Sequence, residues 1–81
     1  MRVVDQLPHP SFRIQLFHFG ANYLVEIEAG PMKQTYRYPA DRFASPSAVW
    51  ATVTPEFLEQ VRQHFNAMYR DWMATWPASE S

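Results

Sequence analysis

The chain has 81 residues, with seven basic against eight acidic side chains for a formal net charge of −1, and it has no cysteine. A chain this short makes one domain, 1–81, and buries only about 60 to 65% of its unfolded surface. Near-neutrality removes the electrostatic footprint of a duplex-nucleic-acid binder and of charge-driven membrane adhesion, and the missing thiols exclude a disulfide framework and a thiolate metal site. Three Trp, four Tyr and six Phe are a large share for so small a chain. Part of that share compensates for size, because each ring buries more area than an aliphatic side chain. The remainder is the one compositional lead toward a partner surface.

Residues 1–11 contain Pro8-His9-Pro10, which blocks regular helix and predicts an extended arm, with Val3, Val4 and Leu7 available to tack it to the core. From Phe12 to Phe19, Phe12, Ile14 and Leu16 alternate with Arg13 and Gln15, the pattern of a half-buried strand. Gly20-Ala21-Asn22 reads as a turn. A second strand over 23–29 puts Tyr23, Val25 and Ile27 on one face and Leu24, Glu26 and Glu28 on the other; after Gly30-Pro31 a third runs from Met32 to Tyr38. The three make an antiparallel meander over 12–38.

Register follows from parity, since a slip of one residue would turn an apolar set into water. A two-residue loop at Ala21-Asn22, or a four-residue one over 20–23, pairs Leu16 with Ile27 and His18 with Val25 inside. Phe19 then faces Leu24, and Phe17 faces Glu26, outside. In the next hairpin a four-residue loop over 29–32 pairs Val25 with Tyr36 and Glu28 with Lys33. It is preferred to a two-residue Gly-Pro loop, because proline suits the first central position of a turn.

Ser45-Pro46 is a cap followed by a proline at the first helical position and predicts a short helix over 45–51; Thr54-Pro55 repeats the signal and opens a main helix over 54–75. Val53 and Leu58 occupy the positions of a hydrophobic staple. At 100° per residue, Phe57, Leu58, Val61, Phe65, Met68, Tyr69, Trp72 and Trp76 fall on one stripe roughly 120° wide, with Glu59, Arg62, Gln63, Asn66 and Arg70 opposite. Such a stripe needs a sheet to cover it, so Phe65 and Trp72 are expected to be central to the core. Pro77 stops the helix, leaving 77–81 as a frayed tail. The expected fold class is α+β: a three-stranded antiparallel meander packed on one face by the long C-terminal helix, with a short helix in the connection.

Catalytic and metal chemistry find little support. His9 lies in a proline-flanked arm, His18 near a strand end and His64 on the flank of the helix stripe, none with another ligand at metal spacing. Glu26 and Glu28 share an exposed strand face next to Lys33, which does nothing to drive their pKa values apart as acid–base catalysis requires. The two glycines cannot build a phosphate-cradling loop. No catalytic residue, cofactor or metal is expected.

Gly30-Pro31 before a strand, with a helix after the third strand, is similar in architecture to double-stranded RNA-binding domains. Those carry a lysine cluster at the start of that helix to meet phosphates. Here Thr54-Pro55-Glu56-Phe57-Leu58-Glu59 supplies two acids and no base, which would repel phosphate.

What remains is the outer sheet face, where Phe17, Phe19 and Leu24 are apolar at positions that strand alternation assigns to water, beside Arg13, Arg37 and Lys33. The cluster is either covered by the N-terminal arm or the 43–50 segment, or open as a partner surface. As a surface it suits a second protein, a homodimer or another chain; stacking of single-stranded bases is the alternative, disfavoured because Glu26 and Glu28 interrupt the cations. The expectation is a small non-catalytic protein-binding or regulatory domain, cytoplasmic, with no membrane role, associating through this face or the free edge of the strand at 12–19.

Overall fold

The computed structural model describes residues 2–77, and in them four strands precede two helices: β1 (Arg2–Leu7), β2 (Arg13–Phe19), β3 (Asn22–Ala29), β4 (Met32–Pro39), α1 (Pro46–Trp50) and α2 (Pro55–Met73). The strands form one antiparallel sheet in the order β1-β2-β3-β4. The α+β class stands, with one correction: the sheet has four strands because the segment expected to be an extended arm outside the sheet contains β1. Its pairing with β2 slips between Val3 and Asp5, a β-bulge at Val4. Val4 and Leu7 both pack toward the core yet lie three residues apart. The extra residue breaks the period of two by which a strand is recognised.

Both hairpins turn on two residues, Gly20-Ala21 and Gly30-Pro31, and each glycine has φ +58°. A positive φ at the first central position only is the type II′ pattern, whose twist matches that of the flanking strands. The second central position has an ordinary negative φ, so Pro31 fits there, and the expected four-residue loop is corrected to Gly30-Pro31 with its register of Val25 to Tyr36 and Glu28 to Lys33 unchanged. The first hairpin does shift. Because the turn takes Gly20 rather than Asn22, Leu16 pairs with Val25 instead of Ile27, His18 with Tyr23, Phe17 with Leu24 and Phe19 with Asn22. The shift is by two residues, so each side chain keeps its face.

Ile14, Leu16, Val25 and Ile27 project from the inner face of the sheet onto Val49 of α1, Val53 of the connection, and Val61 and Phe65 of α2, and these eight residues are the buried core. Ser45 and Thr54 cap the helices as the sequence implies: their hydroxyls accept from Ala48 N at 3.3 Å and Phe57 N at 3.1 Å. Polar clasps hold the layers in place. Gln34 Nε2 donates to the Val61 carbonyl at 3.0 Å, and Tyr36 hydroxyl donates to Gln34 Oε1. Burial pushes the Tyr36 phenol pKa up. Trp50 Nε1 donates to Asp5 Oδ2 at 2.6 Å, tying β1 to α1.

The second half of α2 departs from expectation. Phe57, Leu58, Val61, Phe65 and Met68 pack on the sheet, and the Phe65 ring lies 5.6 Å from Phe12, the residue just before β2. Past Met68 the large apolar residues of the helix are exposed. Trp72, expected in the core, is 36% exposed, and Tyr69, Met73 and Trp76 are exposed with it. Trp72 packs edge-on against Tyr69 and Trp76, at 5.8 and 4.9 Å between ring centroids. The helix ends at Met73, two residues short of expectation, and of the expected tail 78–81 lie outside the described residues.

Candidate binding surface

With both helices on the inner face, the outer face carries alternate residues of all four strands, and the register sets them in rows. Val3, Phe17, Leu24 and Arg37 form one row across the whole sheet. Phe19, Asn22 and Pro39 form the row beyond it, toward the Gly20 turn. On the other side come Gln6, Gln15, Glu26 and Thr35, and then Arg13, Glu28 and Lys33. The face is therefore apolar at one end and charged at the other. Phe19 is 56% exposed, Val3 is exposed, and Phe17 and Leu24 are half-buried.

Neither segment expected as a possible cover lies over this face. The arm became β1 and widens the sheet instead of crossing it, while Phe43, Val49 and Trp50 pack against the core on the inner side. β1 also removes the free edge of the strand at 12–19, so that proposed contact is withdrawn; the edges are now β1 and β4. Phe19, Asn22, Leu24 and Arg37 line a shallow depression of about 190 Å³. The sequence placed Phe17, Phe19 and Leu24 on one face and Arg13 and Arg37 among them. The structure keeps the face but separates the two arginines, Arg37 in the apolar row and Arg13 at the far charged end. Val3 and Asn22 join the surface through the β1 pairing and the corrected first turn, which alternation within single strands does not reveal.

The charges on this face are unevenly engaged. Lys33 Nζ lies 3.5 Å from Glu26 Oε1, and the other ion pair among the described residues, Arg62 with Glu59, is on α2. Arg13 and Glu28 are register partners and both exposed, but they form no ion pair within 4.0 Å among the described residues, and Arg37 forms none either. The histidines stay apart from this surface and from one another. His9 Nδ1 accepts from Ser11 N at 3.0 Å and Phe12 N at 3.1 Å and its ring stacks on Phe12, His18 packs against Tyr23 on the inner side, and His64 is exposed on α2. Among the described residues no three His, Asp or Glu side chains converge where a metal ion would fit, and no helix is long and apolar enough to cross a membrane. No family model matches this chain, and neither the curated proteins nor the solved structures contain a match to it.

Proposed function

We propose that this chain is a small non-catalytic binding or regulatory domain that recognises a polypeptide partner with the outer face of its sheet. The observation that carries the reading is the row Val3, Phe17 and Leu24, extended by Phe19, on a face that neither helix nor the 43–50 segment covers. Contiguous exposed apolar area rimmed by charges of both signs favours protein association over solvation. The cysteine-free composition fits a reducing cytoplasm as the setting.

Single-stranded nucleic acid is the weaker reading on this surface. Stacking platforms pair aromatics with a continuous cationic track. Here Lys33 engages Glu26 and Arg13 stands opposite Glu28, so among the described residues Arg37 is the single cation in the row of Phe17. Tryptophan or tyrosine fluorescence titrated with oligonucleotides should show no salt-dependent saturation. The direct test of the protein reading is Phe17→Glu with Leu24→Glu. The double variant should keep its far-ultraviolet circular dichroism and lose association. Loss of the fold instead would assign both side chains to the core and remove the surface.

A further inference from the structure

The outer face has a pattern of charge and shape that fits a second copy of itself in one orientation, and we infer that the occupant is that second copy. The inference rests on the sheet-face reading above and goes beyond it in naming the partner and the two-fold axis. Two sheets packed face to face are related by an axis lying in the plane between them.

An axis across the strands fails on chemistry. Placed through the apolar row it stacks Val3, Phe17 and Leu24 on their own counterparts but also lays Arg37 over Arg37 of the partner copy and Phe19 over Gln15, and it carries Arg13 and Glu28 past the partner copy's Gly20 turn, where no strand residue meets them. Placed through the next row it lays Glu26 over Glu26 of the partner copy and Arg37 over Lys33, with Phe17 on Arg13 and Leu24 on Glu28. The first placement stacks like charges and leaves Arg13 and Glu28 unmet; the second sets apolar side chains against ions.

An axis along the strands, between β2 and β3, behaves differently. It sets β2 over the partner copy's β3 and β1 over its β4, with every row at its own height. Phe17 then lies over Leu24 of the partner copy, Gln15 over Glu26 and Arg13 over Glu28, each contact made twice. Val3 lies beneath the partner copy's Arg37, whose stem covers it while the guanidinium reaches water. Arg13 and Glu28, which form no ion pair among the described residues, gain opposite charges across the interface. The usual angle of about 30° between aligned sheets moves the outer strands more than β2 and β3, so the central pairs are the ones this packing holds.

The size of the face marks the contact as a weak one. Four strands about 4.8 Å apart, over the seven residues of β2, give a face of roughly 450 Å² per copy, so about 900 Å² in all at full overlap and less as the outer strands diverge. That is at the weak end for specific association, and the dimer should dissociate in the micromolar range.

Analytical ultracentrifugation of the full chain, from low to high micromolar concentration, supplies the test. The unmodified protein should pass from monomer to dimer. Arg13→Glu and Glu28→Arg should each weaken self-association at least about tenfold, because like charges then face each other. An equimolar mixture of the two variants should recover it, since each substituted residue meets its opposite in the other chain. Both positions are exposed, circular dichroism checks the fold, and Arg13→Gln is a milder variant that should weaken association less. A monomer at every concentration overturns the second copy while leaving the face open to a different protein. A dimer that survives Phe17→Glu with Leu24→Glu, or is abolished by Trp72→Ala, moves self-association off the sheet and likewise overturns the second copy on this face. Loss with Phe17→Glu and Leu24→Glu but no rescue in the charge-swapped mixture keeps the face and overturns the axis.

Discussion

Phe65→Ala tests how the helix is anchored. Phe65 is 6% exposed, packs against Phe12 at the end of the sheet, and with Val61 forms the buried contribution of α2 to the core. A phenylalanine buries about 150 to 250 Å², which at roughly 25 cal/mol/Å² corresponds to about 4 to 6 kcal/mol. Truncation leaves one methyl group and a cavity, so a loss of about 3 to 5 kcal/mol is expected. A chain of 81 residues holds about 4 to 12 kcal/mol in all. At the low end of that range the variant is partly unfolded at 25 °C, and at the high end it keeps well over half of its stability. In urea, with a slope of about 1.5 kcal/mol/M, a 4 kcal/mol loss lowers the midpoint by roughly 2.7 M, and an unchanged slope would assign the loss to stability alone. A loss below about 1 kcal/mol would mean that α2 does not meet the sheet at Phe65, and the packing described here would be wrong.

Trp72→Ala should behave oppositely and cost less than about 1.5 kcal/mol in the same melts, because the ring is 36% exposed and rests mainly on Tyr69 and Trp76 rather than on the sheet. Gly30→Ala should cost about 1 to 2 kcal/mol even though nothing lies within 4 Å of an added Cβ, since the penalty comes from φ +58° and not from space; Gly30→Asn should recover part of it. Asp5 has its carboxyl pKa held below the ordinary 3.8, first by the Trp50 indole N–H and then by the Gln6 amide. A depressed folded-state pKa contributes stability that is complete above that ordinary value and is lost as pH falls through the folded one. Amide exchange in β1 should therefore rise below about pH 4 relative to β3, and Asp5→Asn should abolish that difference; an unchanged acid response in the variant would rule out the clasp. Thr54→Ala should cost about 1 kcal/mol through the lost cap on Phe57 N, read as a lower thermal midpoint.

Where local chemistry alone decides, the sequence was legible. Ser45-Pro46 and Thr54-Pro55 state two helix starts in the chain itself, because a hydroxyl cap and an N–H-free first residue satisfy the helix end without outside help. Alternation likewise told inner from outer residues on β2 and β3. Ile14, Leu16, Val25 and Ile27 are buried, and Phe17, Phe19 and Leu24 lie opposite them, a distinction that survives any register error of two. Three features needed the folded chain. β1 was hidden because its bulge breaks the period of two, and only the ladder with β2 and the Asp5 bond to Trp50 show that the segment belongs to the sheet. The reach of the core along α2 was hidden because a helical stripe records which side is apolar but not where the neighbouring sheet ends, so Phe65 and Trp72 look alike in sequence and differ in burial. The openness of the outer face was hidden for the same reason. Alternation names the residues on a face, and only the placement of β1 beside the sheet, with α1 and α2 together on its inner side, decides that nothing in 2–77 lies over Phe17, Phe19 and Leu24.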